Sequence, residues 1–144
     1  MNTLSPRQNF LSTNEKVIAI RQLWVFWTGH GVKWPDRKGI FVHKEKISYK
    51  ARDGLNIEGY VSVPKGKTGP GALVVLPHGG PFSQDSNSFD TFSAYLANKG
   101  YIVFQPNFRG SSGYGHQFLT QAVGQYGMAM QDDITDGTQY LIDQ

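Results

Sequence analysis

His78-Gly79-Gly80-Pro81 is the sharpest chemical feature of this 144-residue chain, because it directly follows the apolar run Ala72-Leu73-Val74-Val75-Leu76. A strand ending at the carboxyl edge of a parallel sheet delivers the next residues to the place where α/β folds bind ligands. Two successive glycines leave backbone N–H groups open to close approach, as stabilisation of a developing oxyanion requires. Read alone, the same four residues also fit a plain turn with an incidental histidine. A second stretch, Asn107-Phe108-Arg109-Gly110-Ser111-Ser112-Gly113-Tyr114-Gly115, is rich in glycine. It is not a phosphate cradle. No Lys-Ser/Thr pair follows, and the dinucleotide pattern fails at Phe118. It reads as a structured loop in which Arg109 anchors a carboxylate or carbonyl, close to a substrate or within the fold. Asp132, Asp133 and Asp136 fit a solvated helix start better than a cation site. No two histidines stand at ligand spacing on one element, HExxH is absent and there is no Cys, so neither a metal nor another cofactor is expected.

A nucleophile is harder to find. None of Ser5, Ser12, Ser48, Ser62, Ser83, Ser86, Ser88, Ser93, Ser111 and Ser112 has glycine at both −2 and +2, the strained elbow that exposes a catalytic serine above a sheet. Ser112 comes nearest, with Gly110 before it and Tyr114 after it. The histidines are His30, His43, His78 and His116.

The elements that must position these residues follow from periodicity. Lys46–Ala51 alternates around Ile47 and Tyr49, Arg52-Asp53-Gly54 is a tight turn, and Leu55–Pro64 alternates again, which predicts a β-hairpin. The run 72–76 and the run Tyr101–Phe104 suit strands covered on both faces. Between them, Phe89–Lys99 has helical spacing, with Phe89, Phe92 and Leu96 on one stripe, Ser88 or Asp90 as cap and Gly100 as stop. Strand, helix and strand with short links make a βαβ unit with parallel strands. A short helix is expected over His116–Val123, and an amphipathic helix from Asp132 to Gln144 through Ile134, Tyr140 and Leu141. Residues 1–45 form a poorly defined leader; within them Val17–Trp27 fits strand as well as helix. Residues 46–144 form the legible domain.

Composition removes several classes. Hydrophobic residues make up 39 % and charged residues 17 %, which excludes a disordered tail. Net charge is +3, but residues 1–67 carry 12 of the 14 basic and 5 of the 11 acidic side chains, +7, against −4 for the rest. The basic residues stand singly among acidic ones, so a nucleic-acid partner is not expected. Arg21 and Gln22 split the longest apolar segment, which argues against a membrane span or a secretory signal and for a cytoplasmic location.

Taken together, Leu76-Pro77-His78-Gly79-Gly80-Pro81, Leu96-Ala97-Asn98-Lys99-Gly100-Tyr101, the loop 107–115 and Asp132-Asp133 resemble the prolyl oligopeptidase family in order and spacing. The similarity is to its acylaminoacyl peptidase and dipeptidyl aminopeptidase branch. The hairpin with Ala51-Arg52-Asp53-Gly54-Leu55 resembles the start of that family's catalytic domain. The resemblance implies an incomplete α/β-hydrolase fold and a serine peptidase. Its Ser-Asp-His triad would lie beyond Gln144, and a β-propeller would precede the domain. It implies Gly80 as a backbone oxyanion donor, with Gly79 beside it and His78 where some relatives place a tyrosine donor. A truncated esterase and a non-catalytic interaction module remain open alternatives. In the implied strand order, strand 72–76 would lie beside the absent nucleophile strand. That leaves an apolar edge, and self-association is expected. The partner of the complete protein would be a peptide substrate.

Overall fold

The computed structural model describes residues 42–80 and 82–144 together with the backbone of Ile18–Ala19. The elements run β1 (Ile18–Ala19), β2 (His43–Lys50), β3 (Asn56–Val63), β4 (Leu73–Val75), α1 (Thr91–Asn98), β5 (Ile102–Asn107), α2 (His116–Thr120) and α3 (Ala129–Ile142). The five strands form one sheet in the order β1-β4-β5-β3-β2.

The hairpin forms as its alternation predicts, and β2 begins at His43, three residues before the predicted start. Its register is antiparallel from His43↔Val63 to Lys50↔Asn56. The turn is closed by Ala51 N–H to Leu55 O at 2.9 Å and by Gly54 N–H to Ala51 O at 2.8 Å. β4 and β5 pair in parallel through Leu73↔Ile102 and Val75↔Phe104, with α1 as the crossover. Side chains alternate between sheet faces. Ile102 and Phe104 therefore pack with Tyr49, Ile57, Leu73 and Leu141 on the α3 side. Val103 points the other way and is equally buried.

Helix α1 starts where Asp90 Oδ1 accepts from Ser93 N–H at 2.6 Å. It stops at Gly100, whose φ of +95° costs little without a Cβ. The predicted buried stripe is wrong. The residues that α1 buries are Ser93, Ala94 and Ala97, whereas Phe89 and Phe92 are exposed. Small side chains let the helix lie close to the sheet, so its bulky aromatics turn outward. Helix α3 begins three residues earlier than periodicity suggests and buries Met130, Asp133, Gly137 and Leu141.

The edge of β4 also differs from expectation. The place expected for the nucleophile strand holds β1, in parallel register Ile18↔Val74 and Ala19↔Val75. The rest of the segment Val17–Trp27, the three tryptophans and His30 lie outside the described residues. Among the described residues, no helix is long and apolar enough to cross a membrane.

Candidate oxyanion loop and its frame

β4 ends at Val75, and the 76–80 segment leaves the sheet at its carboxyl end. Leu76 N–H still donates to Phe104 O at 2.7 Å, so the departure point is pinned to β5. His78 is half-buried, while Gly79 and Gly80 are exposed. Gly80 holds φ +117°, a conformation that L side chains rarely adopt, and a Cβ there would stand 3.3 Å from Ser83 Cβ. Gly79 has no such requirement, because a Cβ added to it would meet nothing within 4 Å. The two glycines thus differ. One is demanded by the backbone, and the other leaves open space above the loop.

His78 is fixed on two sides. Its ring stacks on Phe108 with centroids 4.7 Å apart and planes 16° apart. Its Nε2 lies 2.8 Å from Ser111 Oγ. Ser111 Oγ donates its own proton to Phe108 O at 2.7 Å. The other ring nitrogen, Nδ1, lies 3.0 Å from Gly79 O, so both nitrogens of His78 are engaged. Both imidazole and hydroxyl are committed to the frame, and the geometry gives the Ser111 oxygen no free base beside it.

Arg109 is buried and faces carboxylates. Asp133, with no exposed surface, accepts from Arg109 N–H at 2.8 Å, Nε at 2.8 Å and a terminal guanidinium nitrogen at 2.6 Å. The same guanidinium reaches Asp53 at 2.8 Å. These carboxylates raise the Arg109 pKa further, the Asp133 hydrogen bond most. Arg109 in turn holds Asp53 below the usual carboxylate range. The hairpin turn, the loop after β5 and helix α3 are tied at one point. Beside it, Arg52 pairs with Asp136 at 2.8 Å and with Asp132 at 3.0 Å. The three acidic residues 132, 133 and 136 are thus engaged by arginines, and no group of three His, Cys, Asp or Glu among the described residues is arranged to hold a metal.

Two participants escaped the sequence reading. Asp85 and Asn107 clasp each other: Asp85 N–H donates to Asn107 Oδ1 at 2.8 Å, and Asn107 Nδ2 donates to Asp85 O at 2.9 Å. Ser112 N–H to Ser83 O at 2.9 Å adds a third tie between the loop and the segment after β5. Nothing in the spacing signals these pairs, since they join residues 22 and 29 positions apart. A cleft of about 370 Å³ lies away from the glycines, between His43, Lys44 and Ser62 of the hairpin and Phe89, Asp90 and Ser93 at the start of α1.

Residues 87–144 match the profile of the Prolyl oligopeptidase family. Dipeptidyl aminopeptidase BIII of Pseudoxanthomonas mexicana is 35 % identical over 106 residues, covering 68 % of this chain and 15 % of that protein. Dipeptidyl peptidase family member 6 of Caenorhabditis elegans is 30 % identical over 131 residues, covering 75 % and 18 %. Among solved structures, Pyrococcus horikoshii acylaminoacyl peptidase superposes with a TM-score of 0.65 at 28 % identity, over 71 % of this chain and 17 % of that one. The chain therefore spans less than a fifth of the length of the relatives it matches. Over that span, family profile, relatives and fold agree: the chain carries part of an α/β-hydrolase fold and belongs to the prolyl oligopeptidase family.

Proposed function

We propose that this chain supplies the oxyanion side of a serine peptidase site that acts on peptide substrates. The Gly80 N–H is the donor to the developing oxyanion, Gly79 keeps the approach free, and the nucleophile and its triad partners lie outside residues 1–144. The observation that carries the reading is the empty space at Gly79. Its backbone does not require glycine and a Cβ there would meet no described atom within 4 Å, which leaves the approach to the Gly80 N–H open. Its place at the carboxyl end of a parallel strand supports the same reading. By itself, the 144-residue chain then turns over neither peptide nor ester. A cytoplasmic location belongs to this reading too, supported by the Arg21 that splits the apolar segment 17–27.

Gly79→Ala tests it in the peptidase that carries this stretch together with its nucleophile. The added methyl meets no described atom of this chain within 4 Å, so the urea midpoint should stay within the scatter of a neutral surface change. The methyl intrudes where the substrate carbonyl must approach, so kcat/KM for a peptide substrate should fall by about tenfold or more, within the range lost when an oxyanion donor fails. Unchanged kcat/KM would reduce the loop to a turn.

A further inference from the structure

Gln105 lies in β5 with 2 % of its surface exposed, and its Nε2 donates to Asp85 Oδ1 at 3.0 Å. That bond leaves one oxygen on each group, Asp85 Oδ2 and Gln105 Oε1. Both are buried, and neither has a partner among the described residues. Two acceptor oxygens cannot satisfy one another, but a proton on Asp85 Oδ2 would turn that oxygen into a donor for which Gln105 Oε1 is an acceptor without a partner. We propose that Asp85 carries a proton on Oδ2 and closes an acid–amide ring with Gln105, and that this ring latches the 78–85 loop, and with it the Gly80 donor, onto β5. Asp85 is then a positioning residue. The latch itself stands on the two orphan oxygens; only its consequence for the oxyanion rests on the proposed function.

The surroundings favour the neutral acid. Burial pushes the Asp85 carboxyl above its usual range, and Asp90 at the start of α1 adds to this. His78 in the loop and Lys44 on β2 oppose it without reversing the direction. The linkage has a definite sign. The folded chain holds this proton more tightly than the unfolded chain. This contribution to stability is therefore whole below the ordinary aspartate value, declines as pH rises towards the folded value, and is flat above it.

Two substitutions separate the ring from simple filling of space. Asn at 85 can donate from Nδ2 to Gln105 Oε1 and accept from Gln105 Nε2, so Asp85→Asn keeps the ring without a titrating group. Asp85→Ala removes it. In ¹³C-aspartate-labelled protein at about pH 5, above the ordinary aspartate range, the infrared spectrum should show one protonated-carboxyl C=O band that Asp85→Asn abolishes. This reads equally well in dissolved or associated protein. A spectrum with carboxylate bands alone overturns the ring. Hydrogen exchange of the Asp85 and Ser112 amides should quicken by about tenfold in Asp85→Ala and stay near wild type in Asp85→Asn. Equal exchange in wild type and Asp85→Ala overturns the latch. If both results hold while Gly79→Ala leaves turnover unchanged, the latch stands and the oxyanion reading falls.

Discussion

Gly137→Ala sets two effects of known sign against each other. Gly137 lies in the middle of α3, where replacing glycine by alanine ordinarily stabilises a helix by about 0.8–1 kcal/mol. Here a Cβ would fall inside contact distance of Tyr49 Cζ and 2.8 Å from Phe104 Cζ. Neither ring can yield cheaply. Tyr49 is 3 % exposed and its hydroxyl donates to Asp133 O at 2.8 Å. The ring is held between Tyr140, stacked at 5.9 Å, and Phe104, edge-on at 6.1 Å. Overpacking a filled core costs about 1–3 kcal/mol, and rupture of the Tyr49 hydrogen bond would add about 1 kcal/mol. The unfavourable side wins, with a net loss of about 1–3 kcal/mol after the propensity gain is set against it. Urea unfolding should show a lower midpoint with an unchanged slope. Tyr49→Leu in the same background should recover part of the loss, because the collision disappears with the ring. A midpoint equal to or above wild type would refute the reasoning, since helix propensity would then outweigh the contact with Tyr49.

Asp133→Asn should cost about 3 kcal/mol, the lower end of the range for breaking a buried ion pair, because Asp53 still faces the Arg109 guanidinium; a urea-midpoint change worth less than about 1 kcal/mol would show that the Arg109–Asp133 pair is not what holds α3. Ile18→Pro removes a backbone donor from β1 and should bare the edge of β4, so light scattering should report more self-association than wild type; an unchanged mass would mean that β1 does not guard that edge.

The hairpin was legible because one face of it is buried: Ile47, Tyr49, Ile57 and Val61 fall on alternate positions, and period two survives any detail of packing. Helix α1 was legible in extent but not in orientation. Its large residues, Phe92 and Tyr95, with Phe89 just ahead of its cap, dominate any hydrophobic stripe, yet the sheet accepts only its Ser and Ala side. Close approach between helix and sheet selects for small volume, which a pattern of apolar residues does not weigh. Strand β5 extends past the predicted Phe104 to Asn107 because Gln105 and Asn107 are polar and buried. Polarity reads as a strand end when the partners cannot be seen, and here they come from Asp85, twenty and more residues away. Asp133 shows the same limit. At the start of a predicted helix it reads as a dipole partner, whereas the fold spends it on Arg109.

The polar residues around the end of β5 explain why this frame can position a loop that has little hold of its own. Every second position from 105 to 111 carries a polar side chain, and each one ties down a different segment. Gln105 takes the Asp85 carboxyl, Asn107 takes the Asp85 backbone and the Tyr114 hydroxyl, Arg109 takes Asp53 and Asp133, and Ser111 takes His78. All four are buried. A buried hydrogen-bonding group left without its partner is costly, so each tie is strongly directional in a way that apolar contact is not. Apolar packing alone would give the chain between His78 and Asp85 little to hold it at the sheet end. The polar ties hold it at two points, His78 before the glycines and Asp85 after them, so that Gly79 and Gly80 lie between two anchors. In the proposed role, a Gly80 N–H held from both sides would be oriented before any charge develops, which is the condition under which such a donor lowers a barrier.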